Sequence, residues 1–265
     1  MLFVLSPAKT LDYQSPAAAI APTLPRSMND AAKLVRRLRR LDIDALGDLM
    51  DISPKLAELN RSRFKDWKSK DFESRSRAAI FAFDGDVYEG LRARSMQPEA
   101  LHWAQDHVRI LSGLYGVLRP FDLLQPYRLE MGTRLENERG RDLYAFWGDR
   151  IARSLDEDVR HHAVRLVVNL ASEEYFAAVD MQRLRAPVLR AVFQESRGGP
   201  FRIVSFSAKK ARGMMARWAV EQRIEDPENL KYFAEEGYRY CPASSEPQTW
   251  VFRRSLSDIE ASEPR

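Results

Sequence analysis

A single cysteine, Cys241, excludes an intramolecular disulfide, and four histidines leave little from which to build a zinc site. His102 and His107 are five residues apart and His161 and His162 are adjacent, so neither pair has the i, i+4 spacing of a two-histidine metal helix. We therefore expect no metal. Long apolar runs are also missing. Leu2-Phe3-Val4-Leu5 stops at Ser6-Pro7, well short of the roughly 20 residues of a membrane span or the apolar centre of a signal peptide. With the scarcity of cysteine, this predicts a cytoplasmic protein held in a reducing compartment and away from membranes. No Gly/Ser linker, repeat or low-complexity tract divides the chain, so residues 1–265 read as one domain. Neither a Walker string nor a dinucleotide glycine fingerprint is present, and no cofactor is indicated.

What remains is a globular composition, 45% hydrophobic and 30% charged, which supports a substantial core. Short β-branched and aromatic segments bounded by turn formers predict strands at 2–5, 79–83, 164–170, 187–193, 201–206 and 249–252, with a weaker one at 108–111. Helical periodicity lies between them, at 29–41, 43–50, 54–67, 98–107, 141–155, 172–179 and 208–223. Such interleaving predicts a mixed α/β (α+β) domain in which helices cover a mixed sheet.

The net charge of +4 is modest, but its distribution is uneven. Six basic residues face one acid between Arg26 and Arg40, and eight face four between Lys55 and Arg77. From Arg197 to Arg217 there are six basic residues and no carboxylate. Three predicted strands run into polar strings: Ser6-Pro7-Ala8-Lys9-Thr10, Asn169-Leu170-Ala171-Ser172 and Ser207-Ala208-Lys209-Lys210-Ala211-Arg212-Gly213. Ligands of open α/β sheets sit beyond the carboxyl ends of strands, so Lys9, Lys209, Lys210 and Arg212 are expected to share one cationic, phosphate-binding concavity. Ser112-Gly113-Leu114-Tyr115-Gly116 is either an anion nest beside Arg119 and Arg128 or a pair of tight turns.

Residues 46–59 resemble the helix-hairpin-helix motif of DNA repair proteins, placing that motif at about 43–67. Leu46, Leu49, Ile52, Ala57 and Leu59 fall on its packing positions, and Ser53-Pro54 supplies a cap and a first-turn proline. The motif aims backbone N–H groups at a phosphate, here from Ile52 and Ser53, with Lys55 adding charge and Arg61 and Arg63 continuing the basic segment. Met50, Asp51 and Ser53 stand where the motif has Pro, Gly and Gly.

The strand-end strings, Gly85-Asp86-Val87-Tyr88, Leu111 to Pro120 and Pro126 to Gly132 together resemble the YaaA peroxide-stress family over nearly the whole chain. The resemblance implies a cytosolic protein of the hydrogen peroxide response, of unusual fold, that binds duplex and branched DNA and is linked to restraint of intracellular free iron. It implies no settled enzymatic activity.

Two functions compete. One is non-sequence-specific DNA binding through phosphate contacts, which protects DNA from oxidative attack. The other is an enzyme for a nucleotide or other phosphorylated small molecule, with the strand-end cations as electrostatic stabilisers and Glu130 and Glu174 as acid/base candidates. The sequence identifies no catalytic residue and no protein partner.

Overall fold

The computed structural model describes residues 1–262. Its strands are β1 (Leu2–Leu5), β2 (Thr10–Leu11), β3 (Arg77–Ala78), β4 (Phe83–Asp84), β5 (Val108–Ser112), β6 (Gly116–Leu118), β7 (Leu123–Leu124), β8 (Val167–Asn169), β9 (Val188–Glu195), β10 (Arg239–Tyr240) and β11 (Thr249–Arg254). The helices are α1 (Met28–Leu38), α2 (Ile43–Met50), α3 (Pro54–Asp66), α4 (Ala79–Ala82), α5 (Asp86–Leu91), α6 (Pro98–His107), α7 (Leu143–Trp147), α8 (Arg150–Val159), α9 (Glu173–Phe176), α10 (Ser205–Glu221) and α11 (Leu256–Ser262).

Seven strands form one mixed sheet in the order β10-β11-β9-β8-β1-β5-β6. The five central strands are parallel and each edge strand is antiparallel to its neighbour. β1 lies at the centre, with Phe3 opposite Val108 of β5 and Val168 of β8. All four of its residues are buried, which is why it is apolar without alternation: a central parallel strand has helices on both faces. The β1 and β8 carboxyl ends therefore emerge side by side.

Three expected elements differ. Of residues 79–83, expected as a strand, 79–82 form the single turn α4 and only Phe83 is in a strand, β4, because a short, fully buried apolar run carries no periodicity to separate helix from strand. The pattern at 141–155 is two helices, broken where Gly148 takes φ 50°. Residues 201–206 are not a strand. Arg202 makes an isolated bridge to Glu195, α10 starts at Ser205, and Phe201, Ile203 and Phe206 are exposed.

α2 and α3 pack against each other across a turn at Asp51, which takes the left-handed conformation at φ 49°. Gly47 and the fully buried Ala57 meet where the two helices approach, since larger side chains would hold them apart. The Asp42 carboxylate caps α2 through the Ala45 N–H, and Ser53 Oγ caps α3 through the Leu56 N–H at 3.4 Å. Arg39, from the basic run at the end of α1, closes the far end of α3. Its Nε donates to Phe64 O at 2.7 Å and its Nη2 to the carbonyls of Lys65 and Trp67.

Below the sheet's amino edge, the buried Asp158 carboxylate takes Arg109 at 2.6 Å and Arg26 at 2.7 Å. The two guanidiniums outweigh burial and hold Asp158 below the usual carboxylate range.

Candidate functional site

At the carboxyl edge of the sheet is a cavity of about 390 Å³. β1 delivers Ser6 to Thr10 into it, the segment after β8 delivers Ser172, Glu174 and Tyr175, the start of α5 delivers Asp86, and α10 delivers Lys209 and Arg212. Ser6 and Ser172 tie the two strand ends together. Ser6 Oγ accepts the Ser172 N–H at 2.8 Å and donates to Ser172 Oγ at 3.3 Å, while the buried Tyr88 hydroxyl donates to Ser6 O at 3.2 Å.

Lys9, Lys209 and Arg212 thus line one concavity, as the strand-end pattern predicts. Lys210 does not join them; it turns to Glu236 on another face. Nor is the cavity uniformly cationic. Asp84, Asp86, Glu130 and Glu174 also line it, so Lys9 pairs with Glu130 at 2.7 Å and Lys209 with Asp86 at 3.3 Å. The strand-end strings carried only the basic half; the carboxylates arrive from segments that the fold brings in. Arg212 is the exception among these cations. It makes no ion pair among the described residues, its Nε is buried without a partner, and burial, then Arg190, lowers its pKa. Arginine stays charged under such a shift, so this guanidinium is available to an anion. Glu174 accepts the Gly132 N–H at 2.9 Å, which occupies one of its oxygens structurally.

Arg128 pairs with Glu130 at 3.0 Å and so reaches the cavity's edge. Arg119 goes elsewhere: it pairs with buried Asp122 at 2.8 Å and lines a cavity at the amino edge with Arg26, His107 and Asp158. Gly113 and Gly116, ahead of Arg119, belong to a tight packed turn. Gly116 (φ 72°) lies under the Trp147 ring, Trp147 Nε1 donates to Gly113 O at 3.0 Å, and residues 111–118 are buried. No anion nest opens there.

On the hairpin, the Ile52 N–H is committed to Gly47 O at 3.1 Å, because the left-handed Asp51 turns it back on α2. Ser53 and Lys55 are exposed, and Lys55 makes no ion pair among the described residues. The first turn of α3 holds no acid. Pro54 has no N–H to offer, and with Leu56 N–H taken by Ser53, the Lys55 N–H is left without an intrahelical acceptor. Arg63 lies half-buried near Tyr13, its pKa lowered mainly by burial, and Arg61 Nε is buried without a partner. The end of α3 joins the sheet's carboxyl edge through Trp67 Nε1, which donates to the Tyr115 hydroxyl at 2.9 Å.

The family model described as peroxide stress protein YaaA matches residues 1–244. This chain belongs to the YaaA peroxide-stress family. A UPF0246 protein of Burkholderia cenocepacia is 53% identical over 260 residues, covering 97% of this chain and 100% of the relative. Another from Cupriavidus pinatubonensis is 52% identical over 261 residues, with the same coverage. A third, from Polynucleobacter necessarius, is 51% identical over 254 residues, covering 96% of this chain and 98% of its own. Membership of YaaA associates the chain with peroxide stress, and the family match takes in both the hairpin and the strand-end cavity. Among the described residues no helix is long and apolar enough to cross a membrane, and no three ligating side chains cluster as a metal site.

The sequence reading missed two features. The Ser6–Ser172 pair lies inside the strand-end strings, but nothing local shows that two serines 166 positions apart bond each other. The exposure of Phe201, Ile203 and Phe206 is the other, since the pattern at 201–206 predicts only a strand.

Proposed function

We propose that this YaaA-family chain binds the backbone of duplex or branched DNA without reading base sequence, as a DNA-protecting component of the peroxide response in the cytoplasm. The supporting observation is the amino end of α3, read as the second helix of a helix-hairpin-helix motif. There an exposed, unpaired Lys55, a free N–H and an acid-free first turn face solvent together. A helix of 13 residues adds the positive end of its dipole. Phosphate is the ligand such a terminus suits, and contacts of this kind carry no base information. The Ser53 N–H and Arg61 and Arg63 extend the surface along α3. Lys9, Arg128 and Arg212 at the strand ends, with Lys209 and Lys210 on α10, supply further cations; Ile52 has a packing role and Arg119 a role at the opposite edge.

The same reading connects DNA binding to iron. DNA phosphates condense cations, Fe²⁺ among them, and a protein that neutralises phosphates releases those counterions. Peroxide then finds less iron at the backbone, where the radicals it generates would cut.

Fluorescence anisotropy with a labelled duplex tests the reading. Affinity is expected to fall about linearly on logarithmic axes between roughly 50 and 200 mM salt, with scrambled duplexes binding equally. A flat response, or strong preference for one sequence, overturns it.

A second reading, catalysis on a phosphorylated small molecule, draws on Arg212 facing the Ser6–Ser172 pair's cavity, whose volume is in the range of small-ligand sites. Glu130 and Glu174 would be its acid/base groups. Thermal stabilisation by nucleoside monophosphates that is lost in Arg212→Ala would favour it over the backbone reading.

A further inference from the structure

Phe201, Ile203 and Phe206 are 40%, 51% and 55% exposed, in a protein whose other aromatic residues mostly pack in the core. They stand within the acid-free stretch from Arg197 to Arg217, so the exposed apolar groups alternate with cations: Arg202 between Phe201 and Ile203, and Lys209 and Lys210 one helical turn beyond Phe206. Arg202 is exposed and makes no ion pair among the described residues. The arm that carries them is held in place. The Glu195 N–H donates to Arg202 O at 2.9 Å and the Arg202 N–H to Glu195 O at 3.1 Å, closing a narrow hairpin whose turn uses Gly198 at φ 85°. Arg253 lies 4.6 Å from the Phe201 ring centroid, supporting one side of a ring whose residue is 40% exposed. α10 then carries Lys209 and Arg212 into the strand-end cavity.

Exposing three large apolar side chains together costs solvation, and the flanking charge says what covers them. A partner with an apolar face and a regular negative charge satisfies both. We propose that the arm Phe201–Phe206 is a stacking platform for unpaired nucleobases of a DNA strand whose phosphates lie along Arg202, Lys209 and Arg212. The proposal rests on the DNA-binding reading and adds a substrate class to it, DNA with unstacked bases. Aromatic rings interleaved with cations bind single strands because every base has a π-face, independent of sequence. In paired DNA those faces are already stacked, so the arm has nothing to bind. Stacking, unlike phosphate contact, is little screened by salt.

The test compares an uninterrupted labelled duplex with a duplex of equal length carrying a five-nucleotide single-stranded gap, by anisotropy at low and raised salt. Each base stacked on a ring contributes roughly tenfold or more in affinity, so the protein is expected to prefer the gapped duplex at least about tenfold, the more so as salt rises. The triple variant Phe201→Ala, Ile203→Ala, Phe206→Ala is expected to bind both at the intact-duplex affinity. Phe206→Trp is expected to show indole fluorescence quenched by an oligothymidine. Equal binding of the two DNAs by the unaltered protein, or a triple variant that keeps the preference, overturns the stacking proposal while leaving backbone binding intact. A triple variant changed only in self-association overturns it in favour of a second copy of the chain as the occupant. Binding of neither DNA sinks the backbone reading itself, and this proposal with it.

Discussion

Gly90 and Gly213 lie where α5 crosses α10, each pressed against the main chain of the other helix. A β-carbon on Gly213 would stand 1.8 Å from Val87 O, and one on Gly90 would stand 2.1 Å from Lys210 O. Backbone cannot yield as a flexible side chain does, so these two positions set how closely α10 approaches the start of α5. That approach puts Lys209 opposite Asp86 at 3.3 Å and aims Arg212 into the cavity.

Gly213→Ala is therefore expected to destabilise the fold by about 1–3 kcal/mol or more, the cost of overpacking, and to displace Lys209 from Asp86. Urea unfolding measures the first effect. A variant as stable as the parent would mean the crossing has slack that the contact distances exclude.

Charge at the hairpin separates a built phosphate site from a merely basic surface. Lys55→Glu is expected to weaken duplex binding by about 1–3 kcal/mol, the range for charge-assisted hydrogen bonds, with the fold kept because a first-turn carboxylate suits the helix dipole. Asp51→Gly is expected to tighten binding. It also relieves a left-handed aspartate, so its gain in stability, about 1 kcal/mol, is measured separately by unfolding. Arg40→Glu, an exposed charge in the turn after α1 that makes no ion pair among the described residues, is the reference. Equal losses in Lys55→Glu and Arg40→Glu, with Asp51→Gly unchanged, would remove the hairpin assignment.

Asp158→Asn leaves Arg109, whose side chain is 5% exposed, without its charge partner. The expected cost at neutral pH is about 3–5 kcal/mol. Since the folded pKa of Asp158 lies below its unfolded value of roughly 3.9, this advantage is complete above about pH 4 and disappears as pH falls through the folded value. Unfolding free energies of parent and variant should converge in acid; a constant gap would contradict the ion-pair origin.

A second pH effect sits higher. Burial drives His107 down to about 4, and His162, in edge contact with it, also down to about 4. A histidine depressed in the fold contributes stability that is present above its unfolded pKa near 6.5 and lost as pH falls toward the folded value. Between pH 7 and 5 the expected loss is about 2 kcal/mol for His107 and less for the partly exposed His162. His107→Gln should flatten the curve in that window. An unaltered protein equally stable at pH 7 and 5 would count against neutral burial of the pair.

The parallel centre of the sheet was legible because its strands are buried on both faces and bounded by turn formers: β1 begins and ends at the predicted residues, and α2 and α6 do as well. Arg39 was not legible, since nothing local shows that a residue in a basic run reaches 25 positions onward to Phe64 O. The cavity was half legible. Lys9, Lys209 and Arg212 follow strand ends and could be placed from topology, whereas Asp84 reaches it through its pairing with Thr10 and Asp86 through the α5–α10 crossing, contacts between segments far apart in the chain. The arm at 201–206 misled for a physical reason: an apolar β-branched and aromatic string signals burial unless something else covers it.

Trp67, at the end of α3, donates to Tyr115; the Tyr115 N–H donates to Ser112 Oγ at 2.9 Å, and Ser112 Oγ meets the Tyr127 hydroxyl at 2.7 Å. All four residues are buried, and burial holds the phenols of Tyr115 and Tyr127 well above their ordinary pKa, so the chain of hydroxyls keeps its protons across the physiological range. It runs from the hairpin to the segment bearing Arg128 and Glu130 through side chains that are all buried. Hairpin and cavity consequently behave like the fixed jaws of a caliper. A ligand spanning both has to match their interval or deform to it, which makes the ligand's own stiffness a criterion of selection.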